Sequence, residues 1–187
     1  DCANHSHDWI YTYKIEKLAP TIDDENVQNG SVIACIDDAK EPESVPVAKN
    51  SCGEVLTPTI VRSEDWTGGK KDCSGKILYT YTYTDCGKSS EWVYTYTLND
   101  NVAPRLSDSQ EWPNDITGQN NCYANIDKSL LYTNDQVQLM FVDNCSEVSV
   151  THVDNTEGND CAWKVTRTYT ISDACGNVIE KTMSISG

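Results

Sequence analysis

Between Cys73 and Leu98 the chain alternates strictly. In the first run Ile77, Tyr79, Tyr81 and Tyr83 fall on one face, and Thr80, Thr82 and Thr84 on the other. In the second, Trp92, Tyr94, Tyr96 and Leu98 oppose Val93, Thr95 and Thr97. A period of two in β-branched and aromatic residues predicts strands. The segment between them, Asp85 to Glu91, is rich in turn formers. The pattern predicts a β-hairpin with Cys86 at its tip and Cys73 at its base. Its tyrosines and Trp92 alternate with threonine and read as the core face.

The rest of the chain repeats this unit. Asp85-Cys86 leads to Trp92-Val93-Tyr94-Thr95-Tyr96 and then to Ala103-Pro104. Asp1-Cys2 leads to Trp9-Ile10-Tyr11-Thr12-Tyr13 and then to Ala19-Pro20. A third copy runs from Cys161 through Asp173-Ala174-Cys175-Gly176-Asn177 to Ser186. Asn50-Ser51-Cys52-Gly53-Glu54 recurs as Asp143-Asn144-Cys145-Ser146-Glu147. The reading is therefore a terminal strand of a preceding repeat (1–19), a full repeat (20–103) and a second full repeat (104–187). Each full repeat holds several short strand candidates separated by turns. The segment Asp135 to Val142 reads equally as a strand or a helical turn. Many short strands with regular turns predict an all-β chain of tandem immunoglobulin-like Greek-key β-sandwiches.

Nine cysteines, none in a C-x-x-C pair, read as disulfides formed in an oxidising or extracellular setting. Ten Tyr and five Trp against one Phe make a core thin in aliphatic volume, which bridges would supplement. Four cysteines per repeat allow three pairings. A hairpin strand of nine residues spans about 30 Å, too far for a bridge between Cys73 and Cys86, or between Cys161 and Cys175. If Cys52 and Cys145 open strands beside the tips, the expected pairs are Cys52–Cys86, Cys145–Cys175, Cys35–Cys73 and Cys122–Cys161. Cys2 is left unpaired.

The formal net charge of −15 argues against nucleic acid and anionic membranes as partners. No apolar run approaches the length of a membrane span, so no membrane insertion is expected. The chain has no signal peptide or initiating Met and reads as a piece of something longer. Acidity is compatible with Ca²⁺, which takes several oxygen ligands.

The sharpest chemical candidate is the segment between the two full repeats, Asn99-Asp100-Asn101-Val102-Ala103-Pro104. It resembles the D-N-A-P linker of cadherins, where oxygen ligands hold calcium between consecutive domains. Asp100, Asn101 and Asp108 are the expected ligands, joined by Asp143 or Asp173 from a nearby tip. The alternative is an ordinary polar linker. Trp66, Trp112 and Trp163 have less strand context and are candidates for exposed ligand contacts, for instance with polysaccharide. His5-x-His7 reads as a pair of solvated loop histidines, and His152 as structural or exposed. No nucleophile has a recognisable catalytic context, so the chain reads as not an enzyme.

The pattern C-x-G-x-x-x-Y-T-Y-T-Y-x-D-C, the W-x-Y-T-Y-T-[IL] strand, Asp143-Asn144-Cys145 and Asp173-Ala174-Cys175-Gly176-Asn177 together resemble HYR-like, immunoglobulin-like repeats. Such repeats occur in giant bacterial cell-surface adhesins, including those similar to the gliding adhesin SprB. The resemblance implies a structural repeat of a secreted adhesin filament, exported by the type IX route, whose neighbours are further repeats of the same chain. It implies no catalytic residue, and the one cofactor expected is the calcium of the cadherin-like junction. Cys86-Gly87-Lys88 departs from the C-G-N motif, so that tip is expected to differ in shape. The competing reading is a carbohydrate-binding or accessory module of a secreted polysaccharide-degrading enzyme.

Overall fold

The computed structural model describes residues 6–187. Seven strands precede the inter-repeat segment: β1 (Thr21–Asp23), β2 (Gly30–Ile33), β3 (Val47–Lys49), β4 (Val55–Leu56), β5 (Thr59–Asp65), β6 (Ser74–Asp85) and β7 (Lys88–Asn99). They form a three-stranded sheet in the order β1-β3-β4 and a four-stranded sheet in the order β2-β7-β6-β5. β2 runs parallel to β7, with Gly30 opposite Thr95. The predicted hairpin is β6–β7. Ile77, Tyr79, Tyr81, Tyr83, Trp92, Tyr94 and Leu98 are all buried, so the alternation was a core pattern. Two residues, Cys86 and Gly87, close the hairpin, with φ of 47° and 78°. Positive φ at both positions is the type I′ geometry that matches strand twist.

The second repeat contributes β8 (Arg105–Leu106), β9 (Phe141–Val142), β10 (Ser149–Asn159), β11 (Ala162–Ser172) and β12 (Val178–Ser186). β8 pairs with β9, and β10-β11-β12 form an antiparallel sheet. The ambiguous segment before β9 resolves into both structures in succession. Asn134–Gln138 is a short helix, because Thr133 and Gln136 form a reciprocal capping box. It buries Val137, and β9 follows with buried Phe141. The architecture is all-β and immunoglobulin-like, with only short helical turns.

The chain forms two compact units. One comprises the described part of Asp1–Asn29 with Pro42–Arg62 and Tyr79–Tyr94. The other comprises Gly30–Glu41, Ser63–Leu78 and Thr95–Gly187. This division cuts through the first repeat and differs from the repeat boundaries at 19/20 and 103/104. In the first unit the Tyr83 hydroxyl donates to the Pro46 carbonyl at 2.7 Å, and Ser90 donates to Pro20 at 2.6 Å. The second unit is centred on Leu131, Val137, Val165, Tyr169, Ile171 and Ile185. Its Arg167–Asp154 ion pair is part-buried and bidentate: Arg167 donates to both carboxylate oxygens of Asp154, at 2.7 and 3.0 Å. The guanidinium beside it holds the Asp154 carboxyl below the usual range.

Two expectations fail here. Residues 6–19 form no strand. Trp9 is 84% and Ile10 85% exposed, because among the described residues no neighbour offers them a ladder. Cys2 and His5 lie outside the described residues.

The disulfides also differ. The bridges are Cys35–Cys145 and Cys73–Cys175, with Cα separations of 5.0 and 5.3 Å. They replace the expected Cys35–Cys73 and Cys145–Cys175. The reasoning about ends holds: base cysteines do not meet the tip cysteines of their own hairpin. What topology within one repeat did not reveal is that the base of the first repeat meets the tip of the second, all within the second unit. The expected Cys52–Cys86 and Cys122–Cys161 bridges are absent, and all four of these residues are exposed thiols.

Candidate metal centre

Three aspartates converge beside these bridges. Asp100 follows β7, Asp143 follows β9 and Asp173 follows β11. One carboxylate oxygen from each lies within 4.8 Å of the others. Asp100 is 7% and Asp173 6% exposed.

Each loop uses its aspartate locally. The Asp173 carboxylate accepts from the Gly176 and Asn177 amides at 2.6 and 2.8 Å through Oδ1, and from Asn177 Nδ2 at 2.7 Å through Oδ2. This is an Asx-type closure of the five-residue loop Asp173 to Asn177, with Gly176 at φ 93°. Asp143 Oδ2 accepts from the amides of Cys145 and Ser146, each at 3.0 Å. The segment after β7 is tied in the same way. Cys73 accepts from the Asp100 amide at 2.9 Å, and the Asp100 carbonyl accepts from Asn177 Nδ2 at 3.2 Å. Thus the loop that carries Cys175 and the strand end beside Cys73 are hydrogen-bonded as well as bridged.

Two oxygens are left over. Asp100 Oδ2 and Asp143 Oδ1 are buried and have no hydrogen-bond partner. A buried unpartnered carboxylate oxygen is costly, and buried charges are normally paired or coordinate a metal. At an effective dielectric of 20, each pair of carboxylates at this spacing repels by about 3–4 kcal/mol. A hard divalent cation removes both penalties. Oxygens within 4.8 Å of one another fit a common Ca²⁺ shell, whose ligands lie at about 2.3–2.6 Å from the ion. The residues present therefore fit the group.

Of the three ligands expected from sequence, only Asp100 is in this cluster. Asn101 is exposed, and Asp108 is an exposed partner of Arg105 at 2.7 Å. Asp143 and Asp173, expected as secondary contributors, are the other two members. The Asp-Asn-Cys and Asp-Ala-Cys-Gly-Asn motifs were the signal: each places a carboxylate two residues before a bridged cysteine.

The tryptophans do not form a ligand face. Trp163 is 4% exposed and donates to the Asn121 carbonyl at 2.8 Å. Trp112 packs edge-on against Phe141 and Tyr169 and donates to the Thr182 carbonyl at 2.8 Å. Trp163 is a core residue and Trp112 is partly buried against that core, each with its indole N–H on a backbone carbonyl. Trp66 is half-buried over Gly75 and donates to Glu64 at 3.2 Å. His152 is hydrogen-bonded to Asn134 at 2.6 Å, which fits the structural reading, and His7 is exposed.

No curated protein matches the chain, so no relative supports a likeness to SprB. Among the described residues, no helix is long and apolar enough to cross a membrane. Residues 23–98, nearly the whole first full repeat, match the family model described as an HYR-like domain with 4 cysteines, which supports an HYR-like, immunoglobulin-like family, typically of non-catalytic extracellular modules.

Proposed function

We propose that this chain is a load-bearing segment of a secreted cell-surface adhesin, in which consecutive repeats are locked at their junction by two disulfides and a calcium ion. The carrying observation is the pair of bridges that joins cysteines of one repeat to cysteines of the next. A tether whose repeats hinge freely extends under small forces. One whose repeats are cross-linked on two sides of an aspartate cluster keeps its orientation. Asp100, Asp143 and Asp173 would hold the ion, and the ion would supply the positive charge that the two unpartnered oxygens lack. The acidic surface, at −15 overall, keeps such a filament soluble and extended. Export by the type IX route and a part in gliding belong to the same reading and rest on the family resemblance alone.

The competing reading, a carbohydrate module of a polysaccharide-degrading enzyme, needs an exposed aromatic platform. The burial of Trp163 and the packing of Trp112 weigh against it. A glycan array with and without calcium separates the two. The stalk reading expects no saturable binding from a folded, bridged sample. Saturable binding lost on Trp66→Ala would overturn it.

A further inference from the structure

The four exposed thiols occupy copies of the four sites that are bridged. Cys35 is the residue before a 3₁₀ turn, Ile36–Asp38, and Cys122 the residue before a 3₁₀ turn, Tyr123–Asn125. In both, the cysteine carbonyl accepts the third amide on, from Asp38 at 3.1 Å and from Asn125 at 2.8 Å. Cys73 immediately precedes β6, and Cys161 immediately precedes β11. Cys145 donates its amide to Asp143 at 3.0 Å, and Cys52 donates its amide to Asn50 at 3.0 Å, each closing the same Asx turn. Cys175 and Cys86 each lie in the loop between the two long hairpin strands of their repeat.

The thiols are also grouped as the bridged sites are. Tyr123 donates its amide to Asp160 at 2.9 Å, and Trp163 donates to Asn121 at 2.8 Å. These bonds hold the Cys122 and Cys161 segments together at the base of the second repeat. In the other unit Cys86, Asp85 and Cys52 all lie close enough to Lys17 to raise its pKa.

We infer that Cys52 with Cys86 and Cys122 with Cys161 are two half-staples of the same junction, and that each pair takes another repeat of this kind as its partner. The observed pairing fixes which thiols join. Cys35 bonds Cys145, so Cys122 bonds the Cys52 of the incoming repeat. Cys73 bonds Cys175, so Cys161 bonds its Cys86. For the isolated chain the incoming repeat is a second copy, joined base to tip. The inference rests on the reading of the chain as a repeat module.

Each bond forms by thiol–disulfide exchange with a disulfide oxidant such as oxidised glutathione. A thiolate attacks the oxidant and releases one glutathione. The facing thiol then displaces the second glutathione and completes the protein disulfide. Two protein thiols are oxidised and one glutathione disulfide is reduced to two thiols, which take up the two protons that the protein thiols lose.

The test uses the full chain carrying Cys2→Ser, incubated with oxidised and reduced glutathione. One variant adds Cys52→Ser and Cys86→Ser, and another adds Cys122→Ser and Cys161→Ser. The parent is expected to give a reductant-sensitive ladder of oligomers. Each variant alone stays monomeric, and the two mixed stop at a dimer. In an equal mixture of ¹⁴N- and ¹⁵N-labelled chains, about half of the Cys122–Cys52 and Cys161–Cys86 peptides should carry one label of each kind, where an intra-chain bond gives none. They should exceed the crossed pairs Cys122–Cys86 and Cys161–Cys52 at least ten-fold. Monomers bridged internally as Cys52–Cys86 and Cys122–Cys161, or an unselective mixture of pairs, would overturn the inference. The same digest reports Cys35–Cys145 and Cys73–Cys175. If these are present without inter-chain bonds, only the half-staple inference falls; if they are absent too, the cross-linked stalk falls with it.

Discussion

Replacing Cys73 and Cys175 together by serine removes one junction bridge without leaving a thiol to reshuffle. The cost follows from the connectivity. Alone, a bridge spanning 102 residues restricts the unfolded chain by about 4.7 kcal/mol. Here Cys35–Cys145 remains and interleaves with it. The unfolded path between Cys73 and Cys175 can then run through the surviving bridge. Two routes lead from Cys73 to that bridge in parallel, and the stretch from Cys145 to Cys175 follows in series. The effective loop falls to about 55 residues, and the expected loss to roughly 4 kcal/mol. At about 2–4 °C per kcal/mol for a chain of this size, the midpoint should fall by about 8–16 °C. Thermal melts by circular dichroism, paired with guanidinium titrations, read this directly. A double variant that melts within about 2 °C of the parent would refute the reasoning, because the bridge would then constrain nothing that the fold does not already hold.

Other outcomes follow from individual contacts. Isothermal titration with Ca²⁺ should show one site per chain, lost in Asp100→Asn. The first junction lacks an equivalent, because Asn50 stands in place of Asp143 and the Lys17 ammonium lies in the field of Asp85; two equal sites, or no heat at millimolar Ca²⁺, would contradict this. Arg167→Met should cost about 1.5–3 kcal/mol, since it removes two charge-assisted hydrogen bonds and leaves the part-buried Asp154 carboxylate with Lys128 at 3.4 Å. The pH dependence has a definite sign. The Asp154 pKa is lowered by Arg167, so its contribution is present above the ordinary carboxylate value and lost as pH falls through the lower folded value. Acid titration of the parent should therefore show a loss below about pH 4 that Arg167→Met lacks. Gly75→Ala should displace the Trp66 ring, since an added Cβ would meet it at 2.5 Å, and indole fluorescence should shift to the red. An unchanged spectrum would place the ring elsewhere.

Much of the fold was legible because period-two alternation is a local property. The β6–β7 hairpin and its buried tyrosines could be read from Ile77 to Leu98 alone. The short helix was not, since DQVQLMFV satisfies both periods over its few residues. What decided it was the Thr133–Gln136 capping box. The departure from C-G-N at Cys86 did mark a different loop, two residues closing β6–β7 against five between β11 and β12. The disulfides were misassigned for a physical reason. Strand length says which cysteines are too far apart within a repeat, but not which repeat end lies beside which. The same gap affected the aspartate cluster. Asn101 and Asp108 were chosen by their nearness to Asp100 in sequence, whereas the carboxylates beside Asp100 are Asp143 and Asp173. The sequence offered these two only as contributors from a nearby tip, and they arrive from loops brought in by the fold. Trp163 is buried, against the expectation of exposure, because its place in the core depends on a partner for its indole N–H, the Asn121 carbonyl, that local sequence does not reveal.

The central claim is that consecutive repeats are covalently joined to one another rather than stapled within themselves. Peptide mapping of the non-reduced chain by mass spectrometry, with alkylation before digestion to freeze exchange, tests it most directly. The account predicts linked peptides Cys35–Cys145 and Cys73–Cys175, with Cys52, Cys86, Cys122 and Cys161 alkylated in the monomer. Linked peptides Cys35–Cys73 and Cys145–Cys175 would contradict it and return each repeat to a self-contained, internally stapled sandwich.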